Sequence, residues 1–353
     1  MRITRGRGLA RAATLAAAVA LATGTLAACG DDDDTSTSAA TGTGASTQAA
    51  ATGDGDVKKI AFFGFAGANS FAQATWAGVQ EAAEAAGVEA EFFDPNFDSA
   101  KQVSQIQNAI ASGEFDAFVV QSNDGNAVVP AVEEAIAEGI PVVAEFTPVG
   151  TDYSTIEPQV EGMIFVGEPP VENGTALGEM AVEACADIDP CQVAYLEGNP
   201  QLPLDTARTE AVKAALSEAP NVELVATVTG GYTQADGLKA GQNVLQAHPD
   251  VNVIVGSSQA IAGVEQAVEE AGKTGDVLLI GNGGSRQAVK AVKDGRWHAA
   301  YVIAEKASGR KAAELAIAAA RGEEVPSSFD TRELQEPRGT KDALGDFEGE
   351  YDD

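Results

Sequence analysis

The chain has 353 residues, 44% hydrophobic and 21% charged, which argues against both a membrane bundle and a wholly disordered polypeptide and suits about two domains. Basic residues number 22 against 53 acidic ones, and the net charge of −31 argues against a nucleic-acid partner, since phosphate binding needs clustered Lys and Arg. Two histidines and three cysteines leave little material for a His-rich or four-cysteine metal centre, and no cofactor is implied.

The first 28 residues read as a signal peptide, with Arg2, Arg5, Arg7 and Arg11 ahead of an apolar run from Ala12 to Ala22. Thr14, Thr23, Gly24 and Thr25 interrupt the span, which is shorter than the roughly 20 apolar residues that cross a bilayer. Leu26-Ala27-Ala28-Cys29 resembles a bacterial lipobox, so Cys29 is the expected lipidation site and the extracytoplasmic face of the membrane the expected location. Residues 29–56, Cys29 and Gln48 apart, are Asp, Thr, Ser, Ala and Gly without aliphatic periodicity. Such a segment cannot bury enough apolar surface to order itself and serves as a disordered tether.

From Val57 the pattern changes to short apolar runs separated by amphipathic stretches. The runs are Ile60–Phe63, Ala90–Phe93, Ala117–Val120, Val142–Ala144 and Ile164–Val166, then Val193–Leu196, Leu224–Val228, Val253–Val255, Leu278–Ile280 and Tyr301–Ile303. Unbroken runs of this kind predict strands buried on both faces, as in a parallel sheet covered by helices. Val103, Ile106 and Ile110, like Val129, Val132 and Ile136, recur at helical spacing, and Gly87, Gly139, Gly272 and Gly295 stand where helices should end. The fold class is therefore α/β, with the runs falling into two similar sets divided near 157–162. Two doubly wound parallel-sheet lobes are expected, one from 57–162 with 304–324, the other from 163–303 with 325–338. An acidic, glycine-rich tail, 339–353, is expected to fray.

Enzyme motifs are lacking. Gly64-Phe65-Ala66-Gly67 and Gly281-Asn282-Gly283-Gly284 follow strands without completing G-x-G-x-x-G, and Ser257-Ser258 is not in a G-x-S-x-G elbow. Catalytic residues and metal ligands are therefore not assigned. Cys185 and Cys191, six positions apart in an exported chain, are expected to form a disulfide that staples a helix end to the next strand.

Ligands of open α/β sheets bind at the carboxyl ends of the strands. The residues at those positions are Phe65, Asn69 and Phe71; Asp94 and Asn96; Gln121, Asn123 and Asp124; Glu145 and Phe146; then Glu168, Glu197 and Asn199, Arg208, Tyr232, Ser257, Ser258 and Asn282. Aromatic rings interleaved with amides and carboxylates suit a small hydroxylated ring, whose faces stack while its hydroxyls are bonded.

From about Lys58 to Pro337 the chain resembles the type I periplasmic sugar-binding family, the ribose- and galactose-binding proteins of ABC importers. The matching stretches are Ala68-Asn69-Ser70-Phe71, Ser99 to Ile106, Asn123-Asp124, Gly139-Ile140-Pro141-Val142-Val143, Ala207-Arg208-Thr209-Glu210-Ala211 and Ala247-His248-Pro249-Asp250-Val251. The resemblance implies a monomeric, non-enzymatic binder whose lobes are joined by a three-stranded hinge, with ligand in the cleft between them and ABC permease subunits as partners. It carries over Asn69, Phe71, Asp124 and Arg208 as site residues, with Tyr232 in place of a Phe or Trp. Phe146-Thr147, Ser257-Ser258, Gly283 and Ile303 depart from the family's pattern. A sugar or polyol is thus the leading ligand, with a less hydroxylated or carboxylate-bearing molecule as its competitor. A ligand sensor that hands its closed form to a membrane receptor or kinase is the alternative role.

Overall fold

The computed structural model describes residues 56–353. The expected signal peptide, Cys29 and all but the last residue of the expected tether lie outside the described residues.

The chain opens with β1 (Lys59–Phe63), α1 (Ser70–Ala86), β2 (Glu89–Phe93), α2 (Ser99–Ser112), β3 (Ala117–Val120), α3 (Val129–Ala137), β4 (Val142–Glu145) and β5 (Ile164–Gly167). It continues with α4 (Pro170–Ala184), β6 (Cys191–Glu197), α5 (Pro203–Ser217), β7 (Val222–Thr229), α6 (Gln234–Ala247), β8 (Val253–Ser257), α7 (Ser258–Glu270), β9 (Leu278–Asn282), α8 (Arg286–Lys293) and β10 (Ala299–Tyr301). The last elements are α9 (Glu305–Ala320), β11 (Ser328–Asp330) and β12 (Arg338–Gly339).

Two six-stranded sheets result, ordered β11-β5-β4-β3-β1-β2 and β12-β10-β9-β8-β6-β7. Every pairing is parallel except β10 with β12. The central strands β3, β4, β5 and β8 are buried at every position, as unbroken apolar runs require when helices cover both faces. At the sheet edges, β2 and β7 are only partly buried, because one side of each has no neighbouring strand.

The lobe boundaries differ from the sequence expectation in two places. The run Ile164–Val166, assigned to the second lobe, is β5 of the first sheet, with Ile164 paired to Val143. The segment 325–338, also assigned to the second lobe, first adds β11 to that same sheet, Phe329 opposite Val166. A buried apolar run fits either sheet equally well, so only cross-strand pairing decides its lobe. The chain therefore passes between the sheets after β5, after β10 and after β11. Nor does the tail fray: Leu344 is 2% exposed and Tyr351 5%. Leu344, Phe347 and Tyr351 stand three and four positions apart, a helical spacing, but lie outside any helix; Leu344 and Phe347 pack into the second-lobe core and Tyr351 beside the loop before α8.

Paired helices brace each lobe. Where α1 crosses α9, a side chain on Gly78 would stand 1.9 Å from the Lys306 carbonyl oxygen and one on Gly309 would stand 2.2 Å from that of Thr75. Only glycine permits that approach. Cys185 at the end of α4 and Cys191 at the start of β6 form the expected disulfide, with sulfurs 2.03 Å apart.

Candidate functional site

The carboxyl ends of the strands converge on a cleft between the lobes that encloses about 440 Å³, its open mouth included. The first lobe lines it with Phe65, Asn69, Phe71, Phe97 and Phe146. Leu202, Arg208, Tyr232, Gln259 and Asn282 face them from the second lobe, and Ile303 from the crossover after β10. A smaller cavity of about 220 Å³ continues behind Arg208, Tyr232 and Asn282 to Tyr195 and Ser257.

Local structure explains how the rings arrive there. Asn69 caps α1 by accepting from the Ala72 amide at 2.9 Å, which places Phe71 on the first turn. Phe97 and Phe146 both have positive φ, 58° and 62°. A bulky residue in that region costs about 1–2 kcal/mol and persists only where its surroundings enforce it. Here the Phe97 amide donates to the Phe65 carbonyl at 2.8 Å and the Phe146 amide to that of Val166 at 2.9 Å. The rings then meet edge to face, Phe71 with Phe146 at 4.8 Å and Phe65 with Phe146 at 6.1 Å, while Phe97 stacks on Phe65 at 6.3 Å.

The cleft's charge is Arg208, buried on α5 with its guanidinium 5.9 Å from the centre of the Phe146 ring. One end donates to Asp205 at 3.0 Å; the Nε–H is buried and has no partner. Asp205 also accepts from the Tyr232 hydroxyl and, at 2.8 Å, from the Asn199 amide. Burial raises the pKa values of Asp205 and Tyr232. Burial opposes the charge of Arg208, but Tyr232, Asp205, Tyr195 and Glu168 together raise its pKa. Asn282 exchanges amide hydrogen bonds with Asn173, both at 3.2 Å.

Of the residues expected from strand ends, Phe65, Asn69, Phe71, Phe146, Arg208, Tyr232 and Asn282 line the cleft, and Ser257 lines the cavity behind it. The others do other work. Asp124 accepts from the amides of Asn126 and Ala127 at 3.0 and 3.1 Å, both on one oxygen, so its carboxylate closes a turn, and Asp124 is not among the residues that line the cleft. Asn123 bonds to the Phe65 carbonyl at 3.4 Å. Gln121 accepts from the Phe65 amide and donates to Thr75, Glu145 and Glu305, while Glu145 accepts from Ser308 at 2.6 Å. Gln121 and Glu145 are thereby consumed in tying the loop after β1 to the start of α9. Burial raises the pKa of Glu145, and it raises that of Glu305 further with the Glu145 carboxylate beside it. Glu168, raised to about 7 by burial, accepts from the Tyr301 hydroxyl at 2.6 Å at the first crossover. Ser258 turns toward Asp353.

Phe97, Leu202, Asp205 and Gln259 were not among the expected residues. Phe97 lies one residue past the flagged Asn96, and the other three lie beyond the strand-end loops, in or beside the first turns of α5 and α7.

The profile of the periplasmic binding protein domain matches residues 60–324. The ribose import binding protein of Bacillus subtilis (strain 168) is 28% identical over 255 residues, covering 71% of this chain and 78% of that one. The putative rhizopine-binding protein of Rhizobium meliloti is 27% identical over 244 residues, 68% and 76% of the two chains. Among solved structures, an ABC transporter solute binding protein from Mycobacterium smegmatis with bound glycerol superposes with a TM-score of 0.70 at 27% identity, covering 84% of this chain and 100% of that one. One from Bacillus halodurans C-125 with bound myo-inositol gives 0.71 at 24% identity, 84% and 99% covered, a likeness of fold. Two parallel-sheet lobes around an aromatic cleft, together with a profile match across both of them, make the chain a member of the periplasmic binding protein family, which binds solutes and is not enzymatic.

Proposed function

We propose that the protein captures a sugar or polyol in the cleft between its lobes and presents it to an ABC importer, held at the extracytoplasmic face of the membrane by lipid on Cys29. The observation that carries this reading is the meeting of the Phe65, Phe71, Phe97 and Phe146 rings with the unpartnered Nε–H of Arg208 in one enclosed space. Apolar C–H faces of a small ring stack on such walls, and a buried donor without a partner is costly until a ligand oxygen accepts from it. The names of the relatives support the class: ribose import for the Bacillus protein, bound glycerol for the mycobacterial one.

One observation favours the variant in which the ligand is less hydroxylated or bears a carboxylate. Among the described residues no carboxylate side chain lines the larger cleft, and Asp205, behind Arg208, is already engaged by Arg208, Tyr232 and Asn199. Ligand hydroxyls would find few acceptors there, whereas carbonyl, ether or carboxylate oxygens would find donors.

Calorimetry on D-ribose, D-allose, myo-inositol and glycerol, beside a pentonic and a hexuronic acid, tests both. Saturable binding of a neutral sugar or polyol supports the first reading, and preference for the acids the second. Absence of binding and of any thermal shift across the panel overturns both.

A further inference from the structure

The C-terminal segment lies outside the family match, which ends at residue 324, and it is fastened to both lobes. On the second lobe β12 adds to β10, with Gly339 opposite Ala300, and Leu344 enters the core. The Glu350 amide then donates to the Gly284 carbonyl at 3.0 Å and the Arg286 amide to the Tyr351 carbonyl at 2.8 Å. The Asp353 carboxylate accepts from Ser285 at 2.5 Å and from Ser258 at 3.4 Å. Gly349 lies so close to this loop that a side chain would stand 2.7 Å from the Arg286 nitrogen.

Toward the first lobe the same few residues make two further contacts. Helix α9 has Ala304 at its N-cap, whose methyl side chain offers no acceptor to the first amides. The missing cap comes from Glu350, whose Oε2 accepts from the Lys306 amide at 2.8 Å and the Ala307 amide at 3.3 Å. An anionic acceptor at a helix N-terminus satisfies orphan N–H groups and complements the helix dipole. Beside it the Tyr351 ring stands edge-on to Phe71 at 6.0 Å and 83°. Phe71 is a wall of the cleft and also meets the Phe146 ring at 4.8 Å. The Tyr351 hydroxyl accepts from the Gly284 amide of the second lobe at 3.3 Å.

We propose that residues 348–353 form a strap that holds the two lobes together beside the cleft, with Tyr351 as a positioning residue for the Phe71 wall. Lobes joined by crossovers move as hinged bodies, and contacts made only when they are together shift the population toward that arrangement. A ligand that needs the closed arrangement then binds with an apparent Kd divided by the closed fraction, so loosening the strap weakens binding without altering a ligand contact.

The test uses nitroxide pairs at Glu84→Cys on α1 and Lys239→Cys on α6, in the chain carrying Cys29→Ser, with inter-lobe distances measured by pulsed EPR in the absence of ligand. Tyr351→Ala and removal of 348–353 should each lengthen or broaden the distance distribution, whereas Tyr351→Phe, which keeps the ring, should preserve it. If removal of the segment prevents folding, Tyr351→Ala and Glu350→Ala, which removes the acceptor, carry the test alone and should each broaden the distribution. Distributions that superimpose on the parent's, whether or not the melting temperature falls, overturn the strap and leave the segment a patch on the second lobe. Only the second arm rests on the sugar reading: with D-ribose or whichever panel compound binds, Tyr351→Ala should weaken affinity by about three- to tenfold. A parent protein that binds nothing overturns that reading, while the ligand-free distances still decide the strap.

Discussion

Arg208 and Asp205 sit three positions apart on α5 with nitrogen and oxygen 3.0 Å from each other, and the pair leaves the guanidinium Nε–H buried at the cleft without an acceptor. The pairing holds the fork in place and leaves one donor unengaged, which an oxygen of the proposed ligand would accept. Arg208→Gln should therefore weaken binding of any compound that calorimetry identifies by ten- to a hundredfold, about 1.5–3 kcal/mol for a hydrogen bond to a charged group. Asp124→Ala should leave affinity within about twofold and cost about 1 kcal/mol of stability as a lost turn acceptor. Equal losses of affinity in both variants would show Asp124 reaching the ligand.

Stability should fall as pH rises toward neutrality. Burial holds Glu168 protonated up to about pH 7, and Glu145, Glu305 and Glu350 are raised in the same direction, each from an ordinary value of 4.5. Between those limits the folded chain keeps protons that the unfolded chain has released, so stabilisation is full below about 4.5 and is lost through about 7. His298, lowered by burial, tilts weakly the other way below its usual 6.5, and the lowered carboxyls of Asp152, Asp294 and Asp330 matter only below 3.8. Urea midpoints at pH 5, 6, 7 and 8 should decline, and Glu168→Gln should flatten the decline.

The disulfide closes a short loop and restricts the unfolded chain, a stabilisation on the order of 2 kcal/mol. Replacing Cys185 and Cys191 together by serine should lower the urea midpoint correspondingly. Thiol titration of the unfolded, non-reduced Cys29→Ser chain should find no free sulfhydryl.

Gly78→Ala should be more damaging than a single methyl suggests. The added carbon meets the backbone of α9 at 1.9 Å, and α9 carries the return crossover. Overpacking of a tight contact typically costs about 1–3 kcal/mol, which a thermal melt would register as a lowered midpoint.

Cys29→Ser should release the protein into the medium or leave it unprocessed, because several acyl chains on one residue are needed for stable anchoring. Retention of the variant in the membrane fraction at mature mass would refute lipidation at this cysteine.

How legible the cleft was in the sequence depends on where each side chain's bonds go. Phe65, Asn69, Phe71, Phe146, Arg208 and Tyr232 were readable because strand ends and helix starts face the cleft by topology alone. Gln121 and Glu145 stand at equivalent strand ends and yet bond to Thr75, Ser308 and Glu305, partners up to 184 residues away. No local pattern announces such distant partners.

The amino-acid sequence by itself determined the α/β class, the glycine helix ends, the disulfide and the strand runs except the last, expected at Tyr301–Ile303 and found at Ala299–Tyr301, because each follows from periodicity or from neighbours a few positions apart. Tertiary structure alone decided that β5 and β11 join the first sheet, that Asp124 closes a turn, and that Leu344, Phe347 and Tyr351 seat the tail against the second lobe. Those outcomes depend on cross-strand pairing and on which far-off surface each side chain fills, and a buried apolar run or a lone ring looks the same in sequence whichever surface receives it.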